Sequence, residues 1–201
     1  MSEVKSSFKY APTIRKSILA GFMISMGGTA FLFQENKLIG SCLFTIGLFA
    51  IVFFSLSLFT GKIGTINKTN WVDILLTLIF NFLGTFIFGY FIYVLYYDKI
   101  AIKAIALVSS KATLPMPFTF FSAICCGILM YIAVLGYKEG NHPVISVALP
   151  VIVFINCGFD HCIANAFYFA AGGFNPKFIP YLLVAIAGNT VGALIFRALR
   201  N

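Results

Sequence analysis

Three stretches of this chain, Leu38–Phe59, Phe118–Tyr137 and Phe178–Phe196, contain no charged side chain. Each is close to the roughly 20 residues an α-helix needs to cross the hydrocarbon core of a bilayer. A water-soluble helix needs a polar face, and segments with none must sit in lipid or among other apolar helices. The composition agrees: 60% of the 201 residues are hydrophobic and 10% are charged, against about 25% charged in an ordinary soluble domain. The chain therefore reads as an all-α integral membrane protein.

Hydropathy places six segments, at Ser17–Phe33, Leu38–Phe59, Trp71–Tyr97, Phe118–Tyr137, Val144–Phe169 and Phe178–Phe196, joined by short connections rich in Gly, Asn, Lys and Pro. The expected organisation is a polar N-terminal tail over residues 1–16, one transmembrane domain over 17–197 and a short tail over 198–201. Ile100–Ser110 is too short to span and is expected at the interface or packed on the outer face. With six spans both termini share a side. That side carries nine of the fourteen basic residues, namely Lys5, Lys9, Arg15, Lys16, Lys62, Lys68, Lys138, Arg197 and Arg200. The positive-inside rule then puts both termini in the cytoplasm. The basic residues are scattered singly, which excludes a nucleic-acid partner as the reason for the net charge of +8. The five cysteines lie in or beside apolar segments without a C-x-x-C pair, so neither a disulfide framework nor a metal site is expected. No cofactor is expected.

Polar residues inside apolar spans are expensive and usually line a cavity. Two interruptions stand out: Leu58-Phe59-Thr60-Gly61-Lys62-Ile63-Gly64-Thr65 in the second span and Gly158-Phe159-Asp160-His161-Cys162-Ile163-Ala164-Asn165 in the fifth. They occupy matching places in the two halves of the chain. A weaker echo, N-x-x-G, recurs at Asn81–Gly84 and Asn189–Gly192, 108 residues apart. Three spans per half would invert one repeat relative to the other, and the two breaks would then face each other across a central site.

Phe159-Asp160-His161-Cys162-Ile163-Ala164-Asn165 resembles the F-E-H-S-V-A-N signature of the formate/nitrite transporters. Leu58-Phe59-Thr60-Gly61 resembles that family's L-F-T-[GS], Asn81-Phe82-Leu83-Gly84 its third helix and Gly188-Asn189-Thr190-Val191-Gly192 its sixth. The resemblance runs from about Arg15 to Arg197 in conserved motif order. It implies an aquaporin-like fold of six helices, with the second and fifth broken, and a homopentamer with one pore in each protomer. It also implies that Phe44 and Leu48 form a cytoplasmic hydrophobic constriction, that Phe154 with Leu58 opposite forms the other, and that Lys111 is a vestibule cation attracting anions. Two positions depart from the family pattern: Gly127 stands where a pore-facing Asn is often found, and Asp160 replaces Glu. A wider pore at that level is the expected consequence.

The chemistry follows from the difficulty of carrying charge through oil. Dehydrating an anion in a narrow apolar tube costs many kcal/mol, whereas the protonated acid is neutral. The expected function is passage of a small monovalent anion of the formate, nitrite or hydrosulfide class, passive or coupled to protons, with the permeant protonated near His161. His161 would serve as proton relay or donor and Thr60 as a hydroxyl reaching across to it. Asp160 is expected to anchor loop N–H groups or a neighbouring protomer, and Asn165 and Asn189 to cap the broken helices. Gly127 is grouped with these three as support for the breaks. The partners so implied are a small anion, a proton, the bilayer of the plasma membrane and further copies of the chain. The alternative is an aquaporin-like channel for neutral solutes, but Asn175-Pro176 is followed by Lys177, so the Asn-Pro-Ala motif is missing. No Gly-x-Ser-x-Gly or His-Glu-x-x-His supports an intramembrane enzyme.

Overall fold

Residues 9–140 and 142–200 are described by the structure, a computed structural model. Its helices are α1 (Ala11–Phe33), α2 (Lys37–Phe53), α3 (Phe59–Lys62), α4 (Trp71–Leu95), α5 (Ile102–Ala112), α6 (Met116–Glu139), α7 (Pro143–Cys157), α8 (Cys162–Ala171) and α9 (Ile179–Arg200). Single turns at Ile63–Thr65, Tyr97–Ala101 and Pro176–Phe178 extend or join them. Among the described residues there is no strand. Helices α1, α4, α6 and α9, the last together with the turn before it, are long and apolar enough to cross a membrane. A fifth crossing results if α7 and α8, bent by 58° at their break, form one span; α2 is apolar but shorter.

Several boundaries differ from the expectation. Helix α1 starts at Ala11, within the expected tail, because Pro12 suits a first turn and Thr13 is held by Asp73. The stretch Leu38–Phe59 is not one helix: α2 stops at Phe53, Ser55 takes a positive φ of 50°, and the chain is irregular until Phe59. Hydropathy alone cannot see that stop, since Phe54 and Leu56 are as apolar as the helix before them. Asn36 starts α2 by accepting from the N–H groups of Leu38 and Ile39. In the fifth apolar segment the break comes where it was expected, at Gly158, whose φ of 74° suits a residue without Cβ. Helix α5 packs on α8 with Ala104 and Val108 buried and Lys103 paired to Glu35.

Two sets of three helices make the body. Helix α1 packs along α2 and α4, and α6 along α7 and α9. The sets join through α2 against α7 and through α8 against α4. Small residues let the backbones approach. A Cβ on Gly21 would lie 2.5 Å from the carbonyl oxygen of Asn81, and one on Gly127 would lie 2.3 Å from that of Asn189. These two glycines are the same contact made once in each set. Gly127 therefore faces α9, not an open channel, and the wider pore expected from its missing side chain does not follow.

Candidate functional site

The two interruptions meet at the centre of the molecule, and each is held by an asparagine from another helix. Asn81 of α4 accepts the N–H of Phe59, the first residue of α3, at 2.8 Å. Its amide nitrogen donates to the carbonyls of Ser57 and Ser17, both at 2.8 Å. Asn189 of α9 accepts the N–H of Cys162, the first residue of α8, at 2.8 Å, and donates to the carbonyls of Asp160 at 2.7 Å and Ala123 at 2.8 Å. In both cases the amide serves the first N–H of a short helix, the carbonyl two residues earlier and a carbonyl on the first helix of its set. Buried breaks expose backbone groups that must find partners, and one fully buried amide on each side supplies them. Asn189 thus supports the break as expected, though from another helix. Asn165 does not cap; it donates to Asp160 and Tyr181.

Between these clasps Thr60 Oγ1 lies 3.0 Å from His161 Nε2, joining residues 101 apart in sequence. The imidazole is also the N-cap of α8: Nδ1 accepts the N–H of Ala164 at 3.1 Å. An accepting Nδ1 carries no proton, so the neutral ring bears its hydrogen on Nε2 and donates to Thr60. The threonine hydroxyl keeps its own hydrogen, for which no other acceptor occurs among the described residues. The ring thus presents a donor, and shuttling a proton in through Nδ1 would break the cap. Phe154 lies against the imidazole at 5.6 Å between centroids, and Phe44 meets Phe154 edge-on at 5.7 Å.

Asp160, 1% exposed, is surrounded by side chains. It accepts from Ser122 Oγ at 2.8 Å, Asn165 Nδ2 at 3.2 Å, Tyr181 Oη and Lys111 Nζ at 2.6 Å. Lys111 also donates to the carbonyl of Gly158 at 2.8 Å, across the turn before Asp160. The expected anchoring of loop N–H groups is replaced by this nest of side-chain donors, and the backbone of Asp160 is held separately, its N–H by Ser122 Oγ at 3.1 Å and its carbonyl by Asn189. The structure places Lys111 in an ion pair whose charges cancel, with its side chain 13% exposed.

Two cavities approach the site from opposite ends of α1. One, about 60 Å³, is lined by Phe31 and Lys37 at its mouth and by Lys111, Phe154 and His161 further in. The other, about 540 Å³, is lined by Thr13 and includes Leu58, Gly61, Lys62, Asp73 and Lys138. Thr13 and Phe31 are 18 residues apart on α1, about 27 Å along its axis. No residue lines both cavities. Phe44 and Phe154, expected in different constrictions, touch each other beside His161, while Leu58 lines the N-terminal-side cavity. Leu48, one turn after Phe44 on α2, is 1% exposed.

Residues not singled out as functional in the sequence are Asn81, Ser122, Tyr181 and Lys62. Each is a polar group inside or beside an apolar run, which is the available signal. For Asn81, Ser122 and Tyr181 the linear pattern lacks the partner, 16 to 64 residues away; Lys62 bonds Ser57, five residues back.

The chain matches the formate/nitrite transporters over residues 1–201. A probable formate transporter of Methanothermobacter thermautotrophicus is 25% identical, covering 98% of this chain and 90% of that protein. The uncharacterized transporter YrhG of Bacillus subtilis (strain 168) is 25% identical over 183 residues, 80% of this chain and 69% of YrhG. Among solved structures, a pentameric formate channel with formate bound shares the fold, with a TM-score of 0.82 at 22% identity over 98% of this chain and 96% of that one. An FNT family ion channel gives 0.77 at 20% identity, covering 99% and 90%. The match over residues 1–201 places this multi-pass membrane protein in the formate/nitrite transporter family.

Proposed function

We propose that each protomer conducts a small monovalent anion of the formate, nitrite or hydrosulfide class, and that the anion crosses the Phe44–Phe154 barrier as its neutral acid. The observation carrying this reading is the Thr60–His161 contact: two short helices from opposite sets meet there, with a cavity behind each. The barrier is two aromatic rings wide, and a bare charge between them would have no partner. A permeant that gains a proton from cavity water beside His161 needs only hydrogen bonds. The Thr60 hydroxyl, whose oxygen accepts from Nε2 and whose hydrogen is free, offers one, and Nε2–H offers another when it swings from Thr60 to the permeant.

The same reading takes α2 with α3 as the second span and α7 with α8 as the fifth, giving six crossings in two inverted repeats within one domain over residues 17–197. The paired clasps of Asn81 and Asn189 support it. Both termini then lie on the cytoplasmic face of the plasma membrane. A homopentamer is supported by the likeness to a channel of that assembly.

Radiolabelled formate uptake into liposomes across a pH series tests the mechanism. A weak acid is tenfold more protonated for each pH unit of acidification above its own pKa, so uptake by the wild type rises as pH falls. His161→Ala loses it. His161→Gln, which keeps an N–H donor near the Nε2 position without a titratable ring, retains partial flux and the same pH trend. A flat pH response with unchanged flux in His161→Ala would remove the imidazole from the mechanism.

A further inference from the structure

Lys62 lies in the wall of the larger cavity, at the end of α3 and two residues beyond Thr60. It is half-buried, and its ammonium donates to Ser57 Oγ at 2.8 Å. An ammonium has three N–H donors; the serine takes one. Ion pairs among the described residues are Lys103–Glu35, Lys111–Asp160 and Arg200–Glu139, so Lys62 has no carboxylate in salt-bridge range. Asp73 lines the same cavity, but its carboxylate receives the hydroxyl of Thr13 at 3.0 Å. Lys138 adds a second cation at the exposed edge.

The two halves of the site make the difference explicit. Counting from the N–H held by each asparagine, the third residue on is Lys62 after Phe59 and Asn165 after Cys162. Two residues back stand Ser57 and Asp160. Both halves therefore join the same two places, Lys62 to Ser57 and Asn165 to Asp160. In the second half the charge is an acid, and Lys111 cancels it. In the first half the charge is a cation beside a hydroxyl, with no carboxylate in salt-bridge range; Asp73, in the same cavity wall, acts on it from further off. A charge without a counterion in the wall of a wet cavity concentrates ions of opposite sign.

We infer that Lys62 is an anion-holding residue: its two remaining N–H groups take the oxygens of a small carboxylate or nitrite in the N-terminal-side cavity, next to Gly61 and immediately before the Thr60–His161 contact. The inference rests on the transport reading above and adds where the anion waits and which cation holds it. Lys111, tied to Asp160, is then a structural cation.

Formate uptake into liposomes, measured against formate concentration at fixed pH, tests it with the wild type, Lys62→Gln, Lys62→Arg and Lys138→Gln. Removing one charge about 4 Å from an anion in water-like surroundings changes occupancy about fivefold, and more as the dielectric falls. Lys62→Gln is expected to raise the half-saturating concentration about five- to tenfold while keeping most of the limiting flux. Lys62→Arg stays within about twofold of the wild type, as does Lys138→Gln, whose exposed charge is screened. The gap between wild type and Lys62→Gln narrows in 1 M salt, where the Debye length falls to about 3 Å. Superimposable wild-type and Lys62→Gln curves would overturn the inference. So would an equal loss of limiting flux in the Gln and Arg variants without change in half-saturation, since that marks Lys62 as a prop for Ser57. A wild type that carries no formate, nitrite or hydrosulfide refutes the transport reading itself, and the inference with it.

Discussion

Replacing Asn189 by leucine keeps a similar volume in the core but removes three hydrogen bonds at once. Its amide is fully buried and holds the N–H of Cys162 and the carbonyls of Asp160 and Ala123. The Ala123 carbonyl lies inside α6 and keeps its place in that helix's ladder. Cys162 N–H is the first of α8 and the Asp160 carbonyl lies in the break, so neither has a helical partner to fall back on. Leaving a buried polar group unsatisfied costs about 1–3 kcal/mol, so the two together cost about 2–6 kcal/mol. Against a typical total of about 5–15 kcal/mol this is a large fraction. At roughly 2–4 °C per kcal/mol for a chain of this size, the midpoint of heat-induced loss of the assembled protein in detergent should fall by about 4–24 °C. Asn81→Leu orphans Phe59 N–H and the Ser57 carbonyl in the same way and should fall by a similar amount. Asn189→Asp retains the shape and the acceptor but turns an oxygen toward two carbonyls, so it should melt no higher than the leucine variant. Fluorescence-detected size exclusion after graded heating measures all three. Midpoints within about 2 °C of the wild type for both leucine variants would refute the claim that these amides hold the breaks.

Two further perturbations separate the structural parts. Lys111→Met strands the carboxylate of Asp160 in a nest that is nearly closed to water, and should destabilise by about 3–5 kcal/mol; adding Asp160→Asn should recover part of that loss in the same melting assay, and full additivity of the two changes would show that the pair is not coupled. Gly127→Ala puts a Cβ 2.3 Å from the Asn189 carbonyl oxygen, so α6 and α9 must separate at about 1–3 kcal/mol or more; unchanged melting would refute close packing of α6 on α9 at this glycine.

How far the sequence could be read depended on whether the informative signal was local. Span positions were legible because charge-free runs need no partner to be recognised. The breaks were legible because Thr60, Asp160, His161 and Asn165 sit in otherwise apolar segments, and because the matching places of the two breaks suggested that they meet. The premature end of α2 was not legible: Phe54 and Leu56 are apolar, and the positive φ of Ser55 has no signature in a serine. The asparagine echo was visible as spacing, but its chemistry was not, since each amide acts on backbone groups of other helices. The partners of Asp160 were hidden for the same reason. Ser122 and Tyr181 are 38 and 21 residues away, and only the crossing of α6, α8 and α9 brings them to one carboxylate. Gly127 shows the reverse error: compared with the family pattern it looked like a lost pore side chain, yet its place against Asn189 is the one Gly21 takes against Asn81.

The distribution of charge along the passage bears on how an anion can be admitted without being trapped. At the centre no net charge remains: Asp160 and Lys111 cancel, the His161 ring is neutral, and the Thr60 hydroxyl that accepts from it keeps a free hydrogen. A fixed cation there would hold a dehydrated anion too tightly to release, because Coulomb attraction grows as the dielectric falls. Cations outside any ion pair stand instead in the walls of the two cavities. Lys62 is in one wall, and Lys37 in the other, where it is bound only to the carbonyl of Asn156 at 2.9 Å. Water screens attraction at those places, so an anion drawn to either lysine is released again. On the proposed reading the Phe44–Phe154 contact between them rewards loss of charge, and hydrogen bonds from Thr60 and His161 suit that step better than an ion pair.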